Sequence, residues 1–262
     1  GTAAVAQKGN EVFVQKVQEV LDQLESSGKL KEPVIRNTNL ISEQKEGKRM
    51  ELIIKYWPLF LEGATTTVLL SFFSVIVGVG CGTLMALARL SSNQFLSKAA
   101  KVYIDIIRGT PLLVQLYLVY FGLATVLDLN DFVSGVIAVS VNTTAYIAEI
   151  IRSGIQSVDK GQMEAARSMG MPKRMAMRQI ILPQAMKNIL PAIGNEFATL
   201  IKETSIVSLI GIHDLMYSSD TVRGATFTVF IPLLMTAFLY FVMTTTIAFF
   251  MDKLERKLQA SD

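Results

Sequence analysis

The segment that determines the organisation of this chain is DKGQMEAARSMGMPKRMAMRQIILPQA, residues 159–185, a basic stretch between hydrophobic regions. Asp159 followed by Gln162 is typical of a capping box at a helix start. Gly170 is placed to end that helix in a left-handed conformation, and Pro172 can begin the next helix. A helix of roughly ten residues is not stable alone in water. The sequence therefore predicts two short helices of which the first docks on another surface, with an ordinary cytoplasmic loop helix as an equal alternative.

The composition is that of a membrane protein. Hydrophobic residues make up 51% of the 262 residues, more than in an average soluble domain. A net charge of +3 is too small to indicate nucleic-acid binding, so we expect no nucleic-acid partner. The single cysteine, Cys81, excludes an internal disulfide and a cysteine metal site. P-loop, zinc-protease and nucleophile-elbow motifs do not occur, so we expect no catalytic residue, metal or cofactor on this chain.

Hydropathy predicts four spans, at residues 63–88, 109–127, 132–148 and 224–251. The first carries no charge over 26 residues, which is enough to cross the hydrocarbon core of a bilayer. The helix of the second span is expected to begin near Lys98 and to tolerate Pro111. These spans predict a multi-pass protein in contact with the lipid bilayer.

Residues 188–212 are mostly apolar but contain charges, and the positive-inside rule decides whether they cross. The loop at 152–187 carries seven Lys or Arg residues and is therefore predicted to be cytoplasmic. Counting 188–212 as a span places thirteen flanking basic residues inside and five outside. We therefore predict an all-α membrane protein with five transmembrane helices, the N-terminus outside and the C-terminus inside.

The chain before the first span has two parts. Residues 1–28 predict a strand at 2–7 and an amphipathic helix at 10–27, which together cannot bury a core. Residues 29–54 are charged and contain proline, asparagine and glycine, which is typical of a linker. Residues 55–262 are predicted to form the transmembrane domain. We expect no cleavable signal, because the first residues lack a basic start and an apolar core.

Charges at membrane depth indicate where a translocation path could run. Such residues are costly in lipid and usually face the bundle interior or a wet cavity. Glu196 and Glu203 share a helical face, and Lys202 lies about 120° from Glu196 around the axis. These three are candidates for the path, and ion pairs that hold the bundle together are an equal alternative. Lys202 is expected to find its partner on another helix, with Glu149 as the candidate.

Further polar residues have less specific patterns. Thr204 and Ser205 can bind a zwitterionic ligand or bond back to their own helix. The motif at 108–111 is typical of a kink or a helix start. Glu149 and Arg152, three residues apart at the end of the third span, are expected to form a structural pair rather than a ligand site. The residues to which we assign structural roles are Arg108, Pro111, Glu149 and Arg152.

Four segments resemble one family of transporters. GQMEAARSMGM with the later IILPQA resembles the EAA loop of the membrane subunits of bacterial ATP-binding-cassette importers. RGTPLLVQ, AYIAEIIRSGI and LPAIGNEFATLIKETSIVSLIG resemble its polar amino acid uptake branch, the glutamine/glutamate-type permeases. This resemblance runs from about residue 63 to the C-terminus. AVAQKGNEVFVQKVQEVLDQLESSGKL resembles the end of an extracytoplasmic amino-acid-binding domain, so residues 1–28 are expected to be its fused remnant, with a vector-derived or disordered extension as the alternative.

The resemblance implies the permease subunit of an ATP-driven amino acid importer in the bacterial plasma membrane. It implies two permease copies, which we expect to be identical, an extracytoplasmic binding domain, and two separate ATPase subunits that carry ATP and magnesium. The loop at 159–170 would be the coupling helix that sits in a groove of the ATPase. The alternatives are an ATP-independent secondary amino acid transporter or channel, and a signalling protein that senses an amino acid. The residues expected to couple to the ATPase are Gln162, Glu164, Ala165, Ala166 and Gly170.

Overall fold

The structure is a computed structural model of the chain. The structure describes residues 31–259 and the short pieces 15–16, 19–20, 22–23 and 26–27. All regular elements in the range 31–259 are helices. Residues 15–16, 19–20, 22–23 and 26, which belong to the predicted helix at 10–27, are helical as well. The predicted strand at 2–7 lies outside the described residues.

Helix α1 spans Lys31–Arg89 and contains the first predicted span. The chain divides into two compact units, residues 1–55 and residues 56–262. Residues 31–54, which we expected to be a linker, are helical. Their Lys, Arg, Glu and Gln side chains favour a helix as well as solubility, and Pro33 falls in the first turn, where its missing N–H is not needed.

The second predicted span differs from the continuous helix that we expected. Helix α2, Gln94–Arg108, ends before Pro111, and helix α3, Leu112–Tyr117, begins after it. The two helical directions differ by 106°. Pro111 lacks an N–H and disfavours the helical conformation of the residue before it, which explains the break. The span continues through a π-helical segment, Leu118–Ala124, and the short helix α4, Thr125–Leu127.

The remaining helices follow in chain order. They are α5 (Asp131–Gln156), α6 (Lys160–Ser168), α7 (Lys173–Ala176), a π-helical segment (Met177–Ile181), α8 (Leu182–Glu203), a 3₁₀ helix (Thr204–Ile210), α9 (Leu215–Thr226) and α10 (Phe230–Gln259). The predicted fourth span is thus α-helical only to Glu203 and continues as a 3₁₀ helix. The predicted start of the last span at residue 224 is wrong, because Phe227 is left-handed and separates α9 from α10.

The described residues contain three helical segments that are long and apolar enough to cross a membrane, and four if the bent α2–α3 pair counts as one span. Helix α8 has 22 residues, about 33 Å, but is not in that apolar set. The all-α membrane fold is confirmed. The count of five spans and their orientation stay predictions.

Helix α5 lies between α1, α2 and α8, and small residues bring these helices close. A Cβ atom on Gly78 of α1 would lie 2.6 Å from the Thr143 side chain, and one on Gly82 would lie 2.8 Å from Ile147. Such close approach is how helices pack within lipid, where burial of apolar surface gives little driving force. A buried cluster that includes Leu70, Val139 and Leu200 joins α1, α5 and α8.

Candidate functional site

The loop that we predicted to be cytoplasmic contains two short helices, as the sequence indicated. Asp159 caps α6, and its Oδ1 atom accepts a hydrogen bond from the backbone N–H of Gly161 at 2.6 Å. This bond satisfies one of the free N–H groups of the first turn. Pro172 lies directly before α7, as its fixed φ favours. Both predicted helix starts are confirmed.

The end of α6 is a Schellman motif built on Gly170. The N–H of Met171 donates to the carbonyl of Ala166 at 3.1 Å, and the N–H of Gly170 donates to that of Arg167 at 3.0 Å. Gly170 has a φ of 83°, in the left-handed region where a Cβ is unfavourable. The nine-residue helix is therefore fixed at both ends by local hydrogen bonds.

Helix α6 shows most of its surface to solvent. Gln162, Glu164 and Ala165 are exposed, as is Gly170 beyond its end. Ala166 is the exception, because only 2% of it is accessible and it faces the rest of the protein. The predicted coupling residues thus divide into an outer surface and one inward contact.

A cleft and two methionines extend this outer surface. The cleft, of about 420 Å³, lies between the end of α5, α6 and the second π-helical segment, with Met163 and Met177 in its wall. Met169 and Met175 lie nearby in sequence, and 84% and 44% of their surfaces are accessible to solvent. Methionine side chains adapt easily to a partner surface, so this region is suited to a protein contact.

The charges of the predicted path lie on α8. Glu196 is half-buried, whereas Lys202 and Glu203 are exposed. The charges of Glu203 and Arg108 both act on Glu196. Arg108 ends α2 beside the break, so the break and α8 face the same polar region. The structure therefore places an arginine that we had called structural near the predicted path.

Glu149 pairs with Arg152 and not with the lysine at position 202, which corrects one expectation. The Nε of Arg152 donates to Oε2 of Glu149 at 2.8 Å, and its Nη2 donates to Oε1 at 2.5 Å. Arg108 lies 4.0 Å from the same carboxylate, and its guanidinium lies 5.3 Å from the ring centre of Tyr146. A two-point arginine–carboxylate pair three residues apart forms within one helix, so it outcompetes a partner on another helix.

Thr204 and Ser205 begin the 3₁₀ helix. Thr204 is buried, and its hydroxyl donates to the carbonyl of Ile201 at 2.9 Å. Its oxygen also lies 3.4 Å from the hydroxyl of Ser71 in α1. Ser205 is half-buried, and its carbonyl accepts a bond from Ser208 at 2.8 Å. Of the two alternatives for Thr204, the structure shows the bond back to its own chain segment.

A buried pair of amides was missed by the sequence analysis. The Nε2 of Gln115 in α3 donates to the carbonyl of Ile107 at 2.7 Å and to that of Thr110 at 3.0 Å. The Nδ2 of Asn142 in α5 donates to Oε1 of Gln115 at 2.9 Å. These bonds satisfy carbonyls that the break leaves without helical partners. The sequence did contain a signal for this pair, because Gln115 and Asn142 are polar residues within predicted spans that carry no charge.

Asp214 was also missed, although it is fully buried between the fourth and fifth predicted spans. Its Oδ1 accepts from the N–H of Tyr217 at 2.9 Å, and its Oδ2 accepts from the hydroxyl of Tyr240 at 3.4 Å. Burial raises the pKa of its carboxyl to about 6. The N–H of Leu215 next to it donates to Thr67 of α1 at 3.1 Å. This cluster fastens α9 to α1 and α10.

Known proteins match most of the chain. Residues 78–260 match the family described as binding-protein-dependent transport system inner membrane component. The putative glutamine transport system permease protein GlnP of Rickettsia conorii is 40% identical over 213 residues, 79% of this chain and 98% of that protein. The arginine transport system permease protein ArtQ of Bacillus subtilis is 40% identical over 207 residues, 78% of this chain and 94% of that protein. A chain in a crystal structure of an amino acid ABC transporter is 48% identical, with a TM-score of 0.74, and the match covers 78% of this chain and 96% of that one.

The family match begins within α1 and includes the loop with α6 and α7 and the charged helix α8. Residues 1–28 lie outside it, so the binding-domain remnant there stays a prediction. The match and the apolar helices together place the chain in the bacterial plasma membrane as a multi-pass protein. This chain belongs to the family of inner membrane components of binding-protein-dependent transport systems.

Proposed function

We propose that this chain is the permease subunit of an ATP-driven importer of polar amino acids. It works with a second identical copy, two ATPase subunits that bind ATP and magnesium, and an extracytoplasmic amino-acid-binding domain. The observation that carries the proposal is helix α6, which is short, capped at both ends and exposed, in a chain 40% identical to permeases named for glutamine and arginine transport.

Helix α6 is the proposed contact with the ATPase. Gln162, Glu164 and Ala165 form its outer surface, and Ala166 holds it against the protein. Because both ends are fixed by hydrogen bonds, the helix moves as one body when the ATPase subunits close. The Schellman turn at Gly170 sets the angle at which this motion passes to α7 and α8.

A side-chain bond joins the two ends of this loop. The Nδ2 of Asn188 in α8 donates to the hydroxyl of Ser157, directly after α5, at 2.9 Å. Movement of α6 therefore acts on α5 and α8 together. These two helices carry Glu149 and Glu196, so the motion reaches the polar region beside the α2–α3 break.

The proposed substrate path runs along α8. Glu196 and Glu203 supply carboxylates for the ammonium group of an amino acid, and Lys202 supplies a cation for its carboxylate. Ser205 supplies a polar group where α8 passes into the 3₁₀ helix, and Thr204, which is buried and bonded to its own chain segment, fixes that junction. The half-buried position of Glu196 and the nearby charge of Arg108 support a site that is polar but shielded from bulk water.

Uptake by reconstituted vesicles tests this function. The chain is purified with its genomically neighbouring ATPase and binding protein and placed in liposomes. Labelled glutamine and arginine are then supplied on the side of the binding protein. The proposal predicts uptake that requires ATP and magnesium and persists when ionophores remove all ion gradients. Uptake that needs an ion gradient and not ATP would instead establish the secondary-transporter alternative.

A further inference from the structure

A small cavity near the end of α5 has a basic lining. Its volume is about 210 Å³, and it lies between the ends of α1 and α2 and the last turns of α5. Four cationic and two acidic side chains contribute to its wall, which leaves two positive charges uncompensated. The ionisable residues of this basic cavity are Arg89, Lys101, Asp105, Arg108, Glu149 and Arg152.

The ion pair between Glu149 and Arg152 leaves the charges of Arg89 and Lys101 without a carboxylate partner among the residues that the structure describes. Glu149 is occupied by the arginine of its own helix, and Arg89 is held by Ser97 rather than by an acid. The Nη1 of Arg89 donates to the Ser97 hydroxyl at 3.1 Å, and that hydroxyl donates to the carbonyl of Arg89 at 2.8 Å. Within residues 31–259, neither Arg89 nor Lys101 has a carboxylate in ion-pair distance. Their charges therefore remain available for an external anion.

Helix α2, which forms one wall, has the pattern of a helix at a membrane surface. Phe95, Val102 and Ile106 lie along one side and are exposed by 83%, 56% and 58%. Lys98 and Lys101 lie on the polar side, which borders this apolar side. A helix with adjacent exposed apolar and basic sides is suited to the boundary between lipid headgroups and acyl chains. The positive-inside rule assigns this boundary to the cytoplasmic leaflet.

We propose that the basic cavity binds the phosphate of an anionic phospholipid of the cytoplasmic leaflet. Arg89 and Lys101 contact the phosphate oxygens, and the acyl chains lie along Phe95, Val102 and Ile106. Guanidinium groups bind phosphate through two parallel hydrogen bonds, and lysine adds a point charge. Basic pockets between membrane helices on the cytoplasmic side are suited to such headgroups. Arg89 and Lys101 are not among the residues of the proposed path on α8, whereas Arg108 lines the cavity and its charge also acts on Glu196.

Native mass spectrometry of the purified complex in detergent tests the site. Phosphatidylglycerol and phosphatidylcholine are added in turn, and the retained lipid adducts are counted. We expect phosphatidylglycerol to be retained and phosphatidylcholine to be lost. The double variant Arg89→Gln/Lys101→Gln should bind phosphatidylglycerol about tenfold or more weakly, because charged hydrogen bonds to phosphate are removed. Lys98→Gln removes a charge from the same helix outside the cavity and should bind as the wild type does.

A conservative variant of Lys101 and two competing solutes complete the test. Lys101→Arg keeps the charge and should keep the lipid, and an unchanged Tm of the double variant excludes misfolding as the cause of its loss. Excess inorganic phosphate or glutamine should not displace the lipid adduct, because neither supplies the acyl chains. Displacement by either would assign the cavity to a free solute, an anion in the case of phosphate and a zwitterion in the case of glutamine, and equal retention by the double variant and Lys98→Gln would place the lipid elsewhere. Both results would overturn the proposal, and neither depends on transport or on ATP hydrolysis.

Discussion

Replacement of Gly170 by valine tests the coupling role of α6 through the backbone alone. A Cβ atom on Gly170 would meet nothing within 4 Å, so the added Cβ itself causes no collision. The cost arises from the φ of 83°, because a residue with a Cβ loses roughly 1–2 kcal/mol in the left-handed conformation. That amount shifts an equilibrium by a factor of about 5–30. The balance between the closed Schellman turn and a frayed helix end should change by this factor.

The consequence should be confined to coupling. Helix α6 buries little beyond Ala166, so fraying at its end should leave membrane insertion and the thermal stability of the protein unchanged. We expect Gly170→Val to lower ATP-dependent uptake in proteoliposomes by up to about 30-fold, with more ATP consumed for each amino acid imported. The readouts are labelled amino acid inside the vesicles and phosphate released in the same sample.

Two control variants separate backbone strain from other effects. Gly170→Asn places a side chain of moderate size at the same position, but asparagine tolerates the left-handed conformation, so most uptake should remain. Gly224→Ala changes an exposed glycine within α9, where a Cβ also meets nothing, and uptake should equal that of the wild type. Normal uptake by Gly170→Val, or equal losses for valine and asparagine, would refute the argument from backbone conformation.

Three further predictions concern the path and the stability of the fold. Loss of a charged contact with substrate costs about 1.5–3 kcal/mol, so Glu196→Ala should lower uptake at least about tenfold in the same vesicles, and unchanged uptake would remove Glu196 from the path. A Cβ on Gly63 would lie 2.7 Å from the carbonyl oxygen of Asp214, so Gly63→Ala should lower the Tm in detergent by overpacking, whereas Gly80→Ala, with no neighbour within 4 Å, should not. Because the pKa of Asp214 rises from 3.8 to about 6 on folding, its contribution to stability is complete below pH 3.8 and is lost as pH rises through 6. Between pH 5 and pH 7.5, values about one unit or more on either side of the pKa in the folded protein, the Tm of Asp214→Asn should therefore fall less than that of the wild type. An equal fall in Tm would show that Asp214 does not titrate in that range.

Features that depend on a few neighbouring residues could be predicted from the sequence. Asp159, Gly170 and Pro172 act on backbone groups within five positions, so both ends of α6 and the start of α7 followed from residue types alone. The apolar span within α5 followed from hydropathy, which likewise depends only on residues that are close in sequence. The resemblance of four segments to one family then identified the class of transporter, and the family match confirms that class.

Features that depend on distant contacts could not be predicted in the same way. The motif at 108–111 indicated a kink or a helix start, but the helix of the second span was expected to tolerate Pro111. The break has an angle of 106° and is accompanied by a bond between Gln115 and Asn142, which lie 27 positions apart. The partner of Lys202 was predicted wrongly because helix spacing gives no information about neighbouring helices. Residues 31–54 were expected to be a linker because charged residues are common both in linkers and on exposed helices.

Ligand-dependent ATP hydrolysis shows whether a separate ATPase drives this permease. The complete complex with its ATPase and binding protein is placed in lipid nanodiscs, and phosphate release is measured against a panel of polar amino acids. We expect one or two amino acids, glutamine or arginine foremost, to stimulate hydrolysis, and we expect Gly170→Val to uncouple hydrolysis from these ligands. If no ATPase co-purifies, or if hydrolysis is the same with and without every amino acid, this chain is not the permease of an ATP-driven amino acid importer.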